Sequence, residues 1–140
     1  MLGGVTVTDN TAVELLARDR FDHDVLVWTP PERAYSADAD VERCRRIAPV
    51  AEFVAETALS GRYAEAMTVN GFAFSAALGF SAEPLVEALP EAAGVSLSGT
   101  GPSVTAIGEA DALDAVAERW AAREGTTWLT TTQNDGARTT

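Results

Sequence analysis

The sequence contains no lysine: its ten basic residues are all arginine, and 21 acidic residues bring the formal net charge at pH 7 to −11. A surface this acidic repels phosphodiester backbones and anionic lipid, which excludes nucleic acid and membrane surfaces as expected partners. The only cysteine, Cys44, has no second thiol for an internal disulfide, and together with the only histidine, His23, it falls short of a structural zinc set. Both are read as structural, and no metal site is expected. No apolar run approaches the ~20 residues of a membrane span. Met1-Leu2-Gly3-Gly4 carries no basic residue and Asp9 interrupts the first apolar stretch, so no signal peptide is expected and the expected location is the cytoplasm.

What is present suits a folded domain. The chain has 140 residues, 46% of them hydrophobic, which argues against disorder; a chain of this size can bury roughly 70% of the surface it exposes unfolded. Abundant Asp, Glu and Ala without lysine resemble the proteins of salt-loving archaea. In molar salt the Debye length falls to about 3 Å and the self-repulsion of an acidic shell is largely screened.

Residues 4–8 alternate in the manner of a strand and run into Asp9-Asn10-Thr11, a helix-capping cluster, so a short helix is expected from Ala12. Residues 24–28 form a second strand, ended by Pro30-Pro31, and residues 32–40 read as a polar loop. From Val41 to Ala58 the period is helical, with Pro49 either kinking the helix or opening its second half, and Gly61 ends it. Residues 62–78 are helical again, with Asn70-Gly71 as a candidate break, and residues 83–89 form a short helix with Pro84 in its first turn. Strands follow at 95–98 and 104–108. Asp111 is expected to cap a helix with Leu113, Val116, Ala117, Trp120 and Ala121 on one face and Gly125 as its C′ residue. A threonine-rich strand covers 126–132, and residues 133–140 read as a frayed tail. Trp28, Trp120 and Trp128 read as core or domain-interface residues rather than stacking platforms.

From residue 23 to 132 this order is βαββαβ, an α+β ferredoxin-like sandwich with extra helices in the first crossover. Residues 1–22 stand outside that unit and read as a remnant strand and helix of a domain that is otherwise missing.

Between the strands at 95–98 and 104–108 lies Ser98-Gly99-Thr100-Gly101-Pro102-Ser103. It reads either as a glycine-rich hairpin connection or as a cradle in which backbone N–H groups approach an anion, with Ser98, Thr100 and Ser103 adding hydroxyls. It has neither the lysine nor the strand-then-long-helix setting of a P-loop.

The run SLSGTGPSVTAIG resembles the third motif of the GHMP small-molecule kinases, in the form found in their shikimate and homoserine kinases. Asn70-Gly71, Ala76-Ala77-Leu78-Gly79 and Ala88-Leu89 precede it as in archaeal-type shikimate kinases. Gly3-Gly4-Val5-Thr6-Val7-Thr8-Asp9-Asn10 and Thr130-Thr131-Thr132-Gln133-Asn134 resemble the family's glycine-pair strand and threonine-rich final strand. The resemblance spans nearly the whole chain and implies the family's C-terminal domain.

That resemblance implies an ATP-dependent transfer to the 3-hydroxyl of shikimate, a step toward chorismate and the aromatic amino acids. It puts Gly99, Thr100 and Gly101 toward the phosphates or substrate, with Ser98 and Ser103 shaping the turn, and gives Thr8, Asp9 and Asn10 a place in the shikimate pocket; Asp9 also reads simply as a cap. The family's serine-rich ATP loop and its acidic region for magnesium are not among these residues, so a missing N-terminal kinase half is the expected partner and the chain alone is expected to be inactive. Two other readings stand beside this one: a homoserine kinase-like fragment, and a free-standing ferredoxin-like module that binds a ligand or partner without catalysis.

Overall fold

The computed structural model describes residues 2–139; Met1 and Thr140, at the outer ends of the first segment and of the tail, lie outside the described residues. Two strands, β1 (Val5–Asp9) and β2 (Glu14–Asp19), form an antiparallel ribbon of their own. The other four, β3 (Asp24–Thr29), β4 (Gly94–Leu97), β5 (Val104–Gly108) and β6 (Thr126–Thr131), make an antiparallel sheet in the order β4-β5-β3-β6. Between β3 and β4 run a 3-10 turn (Ser36–Asp38), α1 (Val41–Arg46), α2 (Ala48–Leu59), α3 (Tyr63–Leu78) and α4 (Glu83–Ala88); α5 (Ala110–Ala121) joins β5 to β6. This is the expected ferredoxin-like order with its enlarged first crossover.

Alternation along the strands decides where the core lies. The register that opposes Leu26 to Ala106 and Trp28 to Val104 continues from Ala106 to Val95 and from Val104 to Leu97, so these six side chains share one face. They cluster with Leu85 of α4 and Leu113, Val116 and Trp120 of α5, all four fully buried. Trp120 is placed by its indole N–H, which donates to the Pro84 carbonyl at 3.0 Å and ties α5 to α4. Outside that contact Arg123 grips both carboxylate oxygens of Glu87, at 2.8 and 2.6 Å, and Arg119 does the same to Glu91. Of the three tryptophans, Trp28 and Trp120 are in the core, whereas Trp128 is 56% exposed on the far side of the sheet.

Pro49 stands in the first turn of α2, so it opens a helix rather than kinking one. The helix α3 lies along edge strand β4, where the Thr68 hydroxyl accepts the Val95 amide at 3.2 Å and covers a donor that an edge strand would otherwise leave open.

Several expectations are corrected. No helix follows Asp9. Its Oδ1 accepts the amides of Thr11 and Ala12, at 2.8 and 3.0 Å, closing a turn from which residues 14–19 pair back onto β1. The same side-chain chemistry caps helices and turns, and here an available strand partner decides between them. Asn70-Gly71 is no break; α3 passes through it without interruption. Asp111 lies inside α5, whose N-cap position is Glu109 and makes no side-chain cap bond, and the helix ends with Ala122 as its cap, before Gly125. The tail is not frayed at its start. The Gln133 carbonyl accepts the Gly4 amide at 2.9 Å, and Asn134 accepts from the Phe21 amide at 2.8 Å while donating to Asp22 at 2.6 Å. Among the described residues no helix is long and apolar enough to cross a membrane.

Candidate functional site

The loop between β4 and β5 is closed by two backbone bonds, Ser98 N–H to the Ser103 carbonyl at 2.8 Å and Gly101 N–H to the Ser98 carbonyl at 3.0 Å. Its path needs left-handed backbone at Gly99 (φ 58°) and Gly101 (φ 76°), which an L side chain adopts only with strain. The amides of Gly99 and Thr100 take part in neither closure. A left-handed residue next to free amides is the local geometry that gathers N–H groups around an anion. The two glycines differ in their surroundings: a Cβ at Gly99 would meet nothing within 4 Å, whereas one at Gly101 would stand 2.6 Å from the Phe80 ring.

The loop is anchored by hydroxyls at its middle and at its end next to β5. Ser103 shares a 3.0 Å hydrogen bond with Thr29 at the end of β3, and Thr100 shares one of 3.1 Å with Ser36 in the 3-10 turn. The segment after β3, which the sequence marks only as polar, therefore folds over the glycine loop.

Beside the loop runs a groove of about 650 Å³ between β1 on one side and α2 and α3 on the other, with Ser96 and Thr105 of the sheet at its base. Its walls are largely small and apolar, such as Ala51, Ala58 and Ala66, and Thr8, Asn70 and Ser98 place polar groups along it. The fold thus brings Thr8 and Ser98, 90 positions apart in sequence, to one groove.

Asp9 and Asn10 do not join them. Asp9 is exposed at the hairpin turn, and its carboxyl is held below the usual value by the amides of Ala12 and then Thr11. Asn10 accepts a 3.2 Å hydrogen bond from Thr8. Neither lines the groove, and their hydrogen bonds lie within the hairpin. Ser36 and Phe80 are the residues that sequence reasoning missed. Asn70 was visible as half of an apparent helix break and as part of the family resemblance, but not as a groove residue, and nothing in the sequence marked Ser36 or Phe80.

The ribbon is fastened next to the groove by Tyr63 of α3, whose hydroxyl donates to Asp19 of β2. That hydrogen bond, with a smaller contribution from partial desolvation, raises the phenol pKa above its ordinary value. The ribbon leaves Val13 of its turn 89% exposed, and Leu15 and Leu16 of β2 are exposed as well.

No protein-family model matches the chain. It is 59% identical over all 140 residues to a shikimate kinase of Halobacterium salinarum, covering 49% of that protein. It is 44% identical over 140 residues to a shikimate kinase of Methanocella arvoryzae, covering 98% of this chain and 48% of the relative. The chain thus spans about half the length of the curated relatives it matches. Among solved structures, one described as a homoserine kinase from Listeria monocytogenes superposes with a TM-score of 0.60 at 18% identity, over 96% of this chain and 51% of that one. Another, a homoserine kinase from Cytophaga hutchinsonii, gives 0.52 at 15% identity over 95% and 49%. At such identities these two speak for the fold alone, and it is the fold expected of a GHMP-kinase C-terminal domain. Over its whole length the chain is a relative of the shikimate kinases, of which it matches the C-terminal half.

Proposed function

We propose that the chain forms the C-terminal half of an ATP-dependent shikimate kinase that phosphorylates the 3-hydroxyl of shikimate on the route to chorismate and the aromatic amino acids. The observation that carries this reading is the 59% identity, over every residue of the chain, to a protein named for that activity. Phosphoryl transfer asks a protein mainly to position groups and neutralise charge. In this reading the free amides of Gly99 and Thr100 and the Thr100 hydroxyl face the phosphoryl oxygens, and Ser98, Gly101 and Ser103 hold the loop in shape. Thr8, Asn70 and Ser98 offer hydrogen bonds to a polyol in the groove, while Asp9 and Asn10 keep the hairpin that carries Thr8.

The loop suits a phosphate chain, but no group of three or more His, Cys, Asp or Glu among the described residues could hold a metal ion. Magnesium bound beside ATP needs only one or two carboxylates with the phosphates and water, and the family resemblance puts those ligands in the other half of the enzyme. That half is the proposed partner. The β1–β2 ribbon is the natural place for it to dock, because two strands alone are marginally stable and Val13, Leu15 and Leu16 lie uncovered. Shikimate and ATP are the proposed substrates and the cytoplasm the proposed compartment.

The test joins this chain to the N-terminal half of the Halobacterium salinarum relative and follows ADP release in molar KCl with shikimate or homoserine. Turnover that depends on shikimate is the expected result, with none from this chain alone. Turnover with homoserine only, or no turnover from a folded chimera whose parent relative is active, overturns the proposal; the second outcome favours a non-catalytic binding module.

A further inference from the structure

Phe80 is the first residue beyond the C-cap of α3, and its amide donates to the Ser75 carbonyl at 2.9 Å, so the helix end fixes where its ring goes. The ring is laid against the glycine loop. A Cβ built on Gly101 would come 2.6, 3.0 and 3.1 Å from three of its carbons, so the ring would have to shift to admit one. The loop thus rests on Phe80 from one side, and its other supports are the Thr29–Ser103 and Ser36–Thr100 hydroxyl pairs. Phe80 also borders two cavities of about 260 and 200 Å³, one shared with Trp28 and Pro102, the other with Tyr35 and Thr100. The helix that delivers Phe80 also carries Asn70 and Met67 along the groove. One rigid element therefore bears on both the loop and the groove.

We infer that Phe80 is a positioning residue: through Gly101 it holds the left-handed segment of the loop so that the Gly99 and Thr100 amides point at an anion. The inference rests on the reading of this loop as phosphate-facing, and the two can fail separately. The amides act only through their direction, and displacing such a donor by about 1 Å is enough to forfeit much of its effect.

The experiment uses the chain itself in molar KCl, labelled with nitrogen-15, with inorganic pyrophosphate as the probe. Amide shifts of Gly99 and Thr100 report binding, and hydrogen exchange of the Ser98 and Gly101 amides reports closure of the loop. Phe80→Ala is compared with Phe74→Ala, another partly buried phenylalanine packed against the same core, so that general loss of packing is matched. Phe80→Leu keeps the bulk should the alanine variant fail to fold, and Phe80→Tyr keeps the ring. The expected result is loop exchange faster by about tenfold or more in Phe80→Ala than in Phe74→Ala, pyrophosphate affinity reduced about tenfold, and both restored by Phe80→Tyr. Equal exchange at Ser98 and Gly101 in the two alanine variants overturns the role of Phe80, as does unchanged pyrophosphate binding in Phe80→Ala. If the parent chain gives no response to pyrophosphate, the phosphate-facing reading fails, and with it the purpose assigned to Phe80, whatever the exchange rates show.

Discussion

Gly71 lies so close to Ser96 that a Cβ on it would stand 2.6 Å from the Ser96 Cα and 2.9 Å from the Val95 carbonyl oxygen. This contact lets α3 press along edge strand β4, which keeps Thr68 within reach of the Val95 amide and sets Asn70 on the groove. Helix propensity and packing then predict opposite signs for Gly71→Ala. Alanine in a helix interior gains about 1 kcal/mol over glycine, whereas a methyl forced against backbone costs about 1–3 kcal/mol or more. The expected outcome is a net loss of about 1–2 kcal/mol in urea unfolding. A stabilised variant would show that the helix and the strand do not meet this closely.

The reason Asn70-Gly71 reads as a break in the sequence is physical. Glycine lowers helix propensity wherever it stands, and only the neighbouring strand reveals that its missing side chain is what matters. The Asp9 turn misleads in the same way, since its side chain takes two amides whether a helix or a hairpin follows. The four-stranded sheet was legible because alternation and strand spacing are local signals, and SGTGPS was legible because two glycines and a proline in six residues are rare outside a built turn. Ser36 and Phe80 were not. Each reaches the site through contacts made by residues distant in sequence, 64 positions apart for Ser36 and Thr100.

Tyr63 and Asp19 tie the ribbon to the body of the fold, and the hydrogen bond exists only while the phenol keeps its proton. Its folded pKa is raised above the ordinary value of 10.0. The stabilisation is therefore fully present below pH 10.0 and is lost as pH rises through the folded value, because the unfolded chain releases its proton first. Tyr63→Phe is expected to remove this alkaline component. Absorbance at ~295 nm, to which Tyr35 also contributes, should lose one of its two tyrosinate increments in the variant. Superimposable stability curves of parent and variant above pH 10.0 would deny the coupling.

With a net charge of −11 and no lysine, the folded chain crowds carboxylates that the unfolded chain can spread apart. Raising KCl from low to molar concentration should stabilise it by about 2 kcal/mol, or roughly 5–10 °C in Tm. Thermal melts in a KCl series measure this directly. The effect should saturate once the Debye length falls to about 3 Å, near 1 M. A flat or falling Tm would mean that the acidic surface carries no such repulsion.

The glycine loop offers the sharpest separation of fold from function, because its two left-handed residues differ in what surrounds them. At Gly101 a methyl meets the Phe80 ring at 2.6 Å, so Gly101→Ala adds a steric conflict to backbone strain and should cost about 2–4 kcal/mol of stability in the chain alone. At Gly99 nothing lies within 4 Å of the added carbon. Gly99→Ala should therefore cost only the strain of φ 58°, about 1–2 kcal/mol. If the open space beside Gly99 is where a phosphate approaches, that methyl stands in its way. The reconstituted enzyme should then lose kcat/KM for ATP by about a hundredfold, well beyond what the lost stability explains at a temperature where the variant is folded. Gly99→Asn refines the comparison, since asparagine tolerates left-handed backbone better than alanine yet still fills the space. It should recover stability without recovering activity. Near-parental kcat/KM in a folded Gly99→Asn enzyme would reduce SGTGPS to a strand connection, and unfolding measurements on the same samples would show that stability was not the cause.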